Sequence, residues 1–261
     1  MTLRTFRDQM GTMITCASPP KRIVSLVPSQ TELLAYLGLG EQVVGITKFC
    51  VHPDSWYRTK TKVGGTKQFD FASIDALQPD LIIGNKEENY REGIEALKEK
   101  YPVWMSDICT LDDALQMIRA VGDISGTADR AHELVAEIQP AFKEKLFNQR
   151  VLYLIWKNPW MAAGHGTFIH DMLSRIGLTN VVTDERYPEL SVDQMKVLNP
   201  GVVFLSSEPF PFRERHIEEV QRLFPQSNVI TVDGEMFSWY GSRLKYAPEY
   251  FRILPLQRHN S

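Results

Sequence analysis

The chain has 261 residues, 43% of them apolar, and a formal net charge of −3 at pH 7. That composition supplies cores for two α/β lobes of about 100–130 residues each. It offers no concentrated basic face for nucleic acid and no apolar run near the roughly 18 residues of a membrane-spanning helix.

In chain order, the segment MTLRTFRDQMGTMITCASPP comes first. Arg4 and Arg7 stand where a secretory leader carries its cations, but Asp8 and Gln9 follow and no long apolar stretch does. Met13-Ile14-Thr15-Cys16 therefore lacks the context of a lipoprotein cleavage site. Cys16, Cys50 and Cys109 are odd in number and form no CxxC pair, which fits reduced thiols. The expected location is the cytoplasm for the chain as written, and the periplasm or cell surface if a leader was removed.

Short apolar runs flanked by turn residues predict strands over 22–27, 42–46, 81–84, 103–105, 151–156, 181–183, 202–206 and 229–232. Their unbroken apolarity suits strands covered on both faces, and helical patterns alternate with them, as in a parallel sheet. Ser29-Gln30-Thr31-Glu32 reads as a capping box opening the first helix, and Gly38 as its stop. In 127–147, Leu134, Ile138, Phe142 and Leu146 recur every four residues. This predicts one helix of roughly 30 Å, kinked at Pro140. The terminal RHNS is expected to be a frayed end.

One passage is written twice. TELLAYLGLGEQVVGI (31–46) and HDMLSRIGLTNVVT (170–183) share an apolar helix face, a Gly-Leu stop and a Val-Val strand. Each is followed by Leu-x-Pro and a buried strand: Leu77-Gln78-Pro79 before LIIG, and Leu198-Asn199-Pro200 before VVFLS. The repeat predicts two Rossmann-like lobes, over 20–126 and 149–261, joined by a single backbone helix over 127–148. A ligand cleft is expected between them.

Aromatic side chains gather where strands end and loops begin: Phe49, Trp156, Trp160, Tyr187, Phe237, Trp239 and Tyr240. Carboxyl ends of strands face the ligand in open α/β sheets, so these rings suit a bulky, weakly charged ligand. Asn85, Lys86, Glu87 and Glu88 follow a buried strand. They read equally as polar ligand contacts or as acids favoured by the dipole of a following helix. Cys50 and His52 are two potential metal ligands without a third, and His165 and His170 lack the HExxH spacing. No nucleophile elbow, P-loop or dinucleotide fingerprint is present, and Asp70 and Glu235 do not define an acid–base pair by spacing. The expectation is a non-enzymatic protein with no catalytic cofactor and no metal of its own.

RIVSLVPSQTELLAYLGL, VGGTKQFD with IDALQPDLIIG, GVVFLS and VITVDGEMFSWYGSR together resemble the class III substrate-binding proteins of ABC importers, which have a helical backbone. PWMAAGHGTFIHDMLSRIGLTNVVTDERYPELSVDQM is most similar to the cobalamin-binding members, and the missing leader to a leaderless branch. The resemblance implies binding of cobalamin or a related metal chelate by a monomer, with an iron–siderophore complex or haem as alternatives. An enzyme acting on a bound corrinoid is the alternative of another class. It places ligand contacts on Phe49, Trp160 (or Met161), Tyr187, Glu235, Met236, Phe237, Ser238 and Trp239, with Lys67 where cobalamin binders carry a tryptophan. An ABC permease would be the partner. Of the two acids that dock on it, one falls on Asp193 and the other position holds Ala72.

Overall fold

The computed structural model describes residues 2–258, which fold as two compact units. The first comprises the chain up to Ile108, with Asp112–Glu137 and Tyr240–Arg243. It begins with an antiparallel hairpin of β1 (Thr2–Arg7) and β2 (Met13–Ser18), which the apolar-run reading does not predict. Ile14 and Cys16 turn inward while Met13 and Thr15 face out, so Cys16 is a buried strand residue. Burial pushes its thiol up to about 11.

β3 (Ile23–Ser25), α1 (Pro28–Tyr36), β4 (Val43–Ile46), α2 (Asp54–Thr59) and β5 (Thr61–Lys62) follow. Then come the small pair β6 (Gly64–Gly65) and β7 (Gln68–Phe69), α3 (Phe71–Leu77), β8 (Leu81–Asn85), α4 (Arg91–Lys98) and β9 (Val103–Ser106). The sheet is parallel, in the order β5-β4-β3-β8-β9. Its strands β3, β8 and β9 are buried throughout, as unbroken apolar runs require when helices cover both faces.

The predicted capping box is absent. Pro28, with its φ preset for a helix, starts α1 before Ser29, and Val27 is the N-cap without a side-chain cap. Thr31 bonds back to Val27 O at 2.9 Å, and Glu32 pairs with Arg243 at 2.6 Å. Two helices follow, α5 (Leu111–Ser125) and α6 (Ala128–Ala141). α6 is shorter than the predicted 127–147, because Pro140 brings no N–H to its last turn and the chain leaves the helix just beyond.

The second unit comprises Cys109–Leu111, Ile138–Trp239 and the chain from Leu244. It contains β10 (Gln149–Trp156), β11 (Trp160–Ala162), α7 (Phe168–Arg175), β12 (Leu178–Asn180), β13 (Glu189–Leu190) and α8 (Val192–Val197). β14 (Val202–Ser206), α9 (Glu214–Leu223), β15 (Asn228–Val232), α10 (Glu235–Ser238) and α11 (Ala247–Arg252) complete it. The strands run β13-β11-β10-β14-β15, with β12 parallel to the first residues of β10. The strand predicted over 181–183 lies earlier. Asn180 Oδ1 accepts the Val182 N–H at 3.1 Å and turns the chain out of the sheet. Leu152, Leu154, Val203 and Leu205 form the centre of the core with no exposed surface.

Arg258 bridges to Phe147, and the rest of the predicted frayed end lies outside the described residues. Among the described residues, no helix is long and apolar enough to cross a membrane.

Candidate binding site

In the first unit, the carboxyl ends of β3, β8 and β9 are closed by a polar network. Gln30 Nε2 donates to Ser106 Oγ at 2.6 Å, and Asn85 Nδ2 to the same oxygen at 3.0 Å. Asn85 Oδ1 accepts the N–H groups of Glu87 and Glu88 at 2.8 and 3.1 Å, while Asn89 Oδ1 accepts Asn85 N–H at 2.9 Å. Asn85 is therefore the buried hinge of a side-chain-bonded turn and offers nothing to a ligand. The helix-dipole reading of Glu87 and Glu88 also fails, since α4 begins at Arg91 and its first-turn acid is Glu92. Lys86 pairs with Asp107 at 2.6 Å on the surface. Glu88 Oε1 accepts the Tyr240 hydroxyl at 2.7 Å. Burial, then Glu88 beside it, raises that phenol well above its ordinary value, so Tyr240 remains a donor.

Phe49 is the most exposed ring among the described residues of this unit, at 52%. The Lys48 ammonium lies 5.2 Å from its centroid, and a Cβ on Gly65 would come within 3.1 Å of its edge. A glycine at that position is what lets the ring lie against the backbone. Lys67 Nζ is held by Glu87 O at 2.5 Å. Cys50 is wholly buried, its sulfur 3.0 Å from Thr31 Oγ1 and 3.1 Å from Thr47 Oγ1. Burial raises the thiol above its ordinary value. Among the described residues, no group of three or more His, Cys, Asp or Glu could hold a metal ion.

In the second unit, two predicted ligand contacts are core residues. Trp160 is 8% exposed, its ring parallel to Phe212 at a centroid distance of 6.3 Å and its face beneath Lys157 Nζ. Phe237 has no exposed surface and packs against Tyr153 (5.3 Å), Phe204 (5.7 Å) and Phe251 (4.7 Å). An aromatic after a strand end suits a loop anchor as well as a ligand platform, and here the anchor won. Tyr187 is half-buried, with the Arg186 guanidinium 5.8 Å from its ring.

Glu235, Met236 and Ser238 are half-buried on α10, and Trp239, 8% exposed, follows them. Glu208 is the residue of this turn that sequence reasoning missed. Its Oε1 lies 2.7 Å from Ser238 Oγ, and a Cβ on Gly234 would come within 2.7 Å of its Cγ. Burial raises its carboxyl above the ordinary value against the lowering by Ser238 and Trp239, and Glu235 and Asp233 raise it further. An acid set just beyond the buried strand VVFLS was the available signal.

The two positions where the resemblance implies permease contacts are equivalent in their own units. Ala72 is the second residue of α3, whose N-cap Asp70 accepts Ser73 N–H at 3.1 Å. Asp193 is the second residue of α8, whose N-cap Ser191 forms a capping box with Gln194. Both are exposed.

Parallel sheets whose strands end in aromatic and polar loops define a class of α/β binding protein. Residues 23–225 match the family described as periplasmic binding protein, and the chain belongs to that family. A vitamin B12-binding protein of Vibrio cholerae serotype O1 is 26% identical over 197 residues, covering 72% of this chain and 71% of the relative. The same fold is seen in the crystal structure of the V. cholerae periplasmic vitamin B12 binding protein BtuF. That match has a TM-score of 0.77 and 22% identity over 92% of this chain and all of that one. The apo periplasmic heme-binding protein RhuT from Roseiflexus sp. RS-1 also shares it, with a TM-score of 0.74 and 21% identity over 91% of this chain and 97% of that one.

Proposed function

We propose that this protein binds cobalamin or a closely related corrinoid reversibly, without chemically altering it. The observation that carries the reading is Phe49, a large ring displayed just beyond the end of β4. Tyr187 is the matching ring of the second unit, and Glu235, Met236, Ser238 and Trp239 supply a turn of mixed chemistry. The relatedness to vitamin B12-binding proteins supports the choice of a corrinoid over other chelates.

The test is retention of cobalamin, cobinamide, haem and ferric siderophores by the purified protein. Phe49→Ala and Tyr187→Ala should each weaken cobalamin by about 1–3 kcal/mol if the ring buries fully against it. Unchanged affinity in the double variant refutes the assignment. A visible spectrum that changes with turnover would instead indicate an enzyme.

A further inference from the structure

The second unit carries a groove of about 450 Å³ apart from the residues assigned to the corrinoid. Its polar lining includes Lys145, His165, His170, Ser174, Thr179 and Asn180, and among the described residues no acidic side chain lines it. It runs along β12, where Gly177 (φ 89°) lets the chain turn. A Cβ there would sit 2.1 Å from Phe147 O.

The two histidines come together although five residues apart. Their ring centroids are 4.2 Å apart at 45°, one ring on the loop after β11 and the other in the first turn of α7. Asn180, nine-tenths buried, sets the chemistry of the pair. The Val182 N–H can only donate, so the oxygen that receives it is Asn180 Oδ1, at 3.1 Å. Asn180 Nδ2 is then directed at Ala163 O (2.8 Å) and His170 Nδ1 (3.4 Å). His170 Nδ1 is thereby the acceptor, and the proton of the neutral ring sits on Nε2. Charging His170 would set an N–H against the Asn180 amide and a cation beside His165.

Two acids act on the pair from outside the groove. Asp171, on α7, is committed to Leu111 N–H and Arg175 Nε at 2.7 and 2.8 Å. Glu185, on the loop before β13, has its carboxylate against Gly166. Lys145, preceding β10, adds a cation. The groove thus presents donors and latent positive charge with no anion inside it.

We propose that this groove is an oxyanion site that takes phosphate or a phosphate monoester group, with Lys145, His165 and His170 as its charged donors and Ser174 and Thr179 as hydroxyl donors. The site is independent of the corrinoid reading. Binding of the anion compensates protonation of the pair, so affinity rises as the histidines charge.

The test titrates inorganic phosphate, and separately sulfate, into the full chain, reading the histidine ring proton signals and the heat of binding. Sulfate keeps its charge, so its pH dependence reports the histidines. Saturable shifts of both rings are expected, with sulfate affinity rising as the pH falls below the ordinary histidine value, because burial and the neighbouring His165 lower His170. Lys145→Ala and His170→Ala should each weaken binding by about tenfold. Thr179→Glu, at an exposed position, places a carboxylate in the groove and should abolish binding without unfolding the unit. No saturable shift at millimolar phosphate, or equal affinity in Thr179→Glu, overturns the proposal. So does tight zinc binding by the two histidines with no phosphate binding.

Discussion

The two units repeat one frame and differ at the ends of its strands. In the first, Arg22 Nε donates to Leu77 O at 2.6 Å while Arg22 O accepts Asp80 N–H at 2.9 Å. In the second, Arg150 Nη2 donates to Leu198 O at 2.7 Å and Arg150 O accepts Gly201 N–H at 2.9 Å. The residue between Leu and Pro is left-handed in both, Gln78 at φ 44° and Asn199 at φ 45°. The repeated Leu-x-Pro is thus a device that stops a helix, reverses the chain and feeds a buried strand under an arginine clamp. The strand ends diverge. The first unit closes them with amide and hydroxyl groups and leaves Phe49 on display, whereas the second fills them with rings from Tyr153 to Phe251. A frame made of local turns survives duplication, while the surface it carries is free to change.

The largest expected effect separates displayed rings from filled ones. Phe237→Ala should cost about 3–5 kcal/mol of stability in denaturant unfolding. Phe49→Ala, with its ring half in solvent, should stay within about 0.5 kcal/mol. Equal losses would show that Phe49 is a packing residue and remove the main support for a ligand there.

Next is the pair of equivalent first-turn positions. The resemblance to importer components implies an acid from each unit meeting permease arginines, and only Asp193 supplies one. Reconstituted with a cobalamin-type permease, the natural chain should dock weakly. Ala72→Glu should recover about 2–5 kcal/mol of docking. Efficient transport by the unaltered chain would refute the idea that Ala72 disables it.

A smaller effect tests what ties Tyr240–Arg243 to the first unit. Arg243 grips Glu32 through Nε at 3.2 Å and Nη2 at 2.6 Å, with both side chains largely shielded. Glu32→Ala should cost about 1–3 kcal/mol, and a double-mutant cycle with Arg243→Met isolates the pair.

Much of the frame was legible. Unbroken apolar runs gave the buried strands, and Gly38, Gly177 and the two Leu-x-Pro sequences marked their turns. The hairpin was not, because β2 buries only one face and its alternation is short. Nor was the division between displayed and buried rings, since Phe49 and Phe237 occupy the same kind of strand-end position in sequence. What separates them is tertiary: Gly65 leaves room beside one, and Tyr153, Phe204 and Phe251 enclose the other. Glu32 misled because a capping-box pattern is local, while its actual partner lies more than two hundred residues away.

The smallest expected effect is a slope rather than a loss, and it belongs to the second unit alone. Glu208 is largely enclosed, with Asp233 and Glu235 nearby, and its carboxyl holds a proton above the ordinary glutamate range. Ser238 has one hydroxyl hydrogen but two oxygens in reach, Gly234 O at 2.9 Å and Glu208 Oε1 at 2.7 Å. Ser238 donates to Glu208 Oε1 and so favours the charged carboxyl, but burial outweighs that bond. The unfolded chain loses this proton at the ordinary value and the folded chain only above it. The contribution to stability is therefore fully present below the unfolded value and is lost as pH rises through the folded one. Glu208→Gln keeps an acceptor oxygen for the Ser238 hydroxyl and cannot ionise, so its urea midpoint should not show that decline. The first unit should keep its stability across the same interval when followed through amide exchange of β8. A natural chain with the same pH profile as Glu208→Gln would mean that burial does not raise Glu208 in the fold.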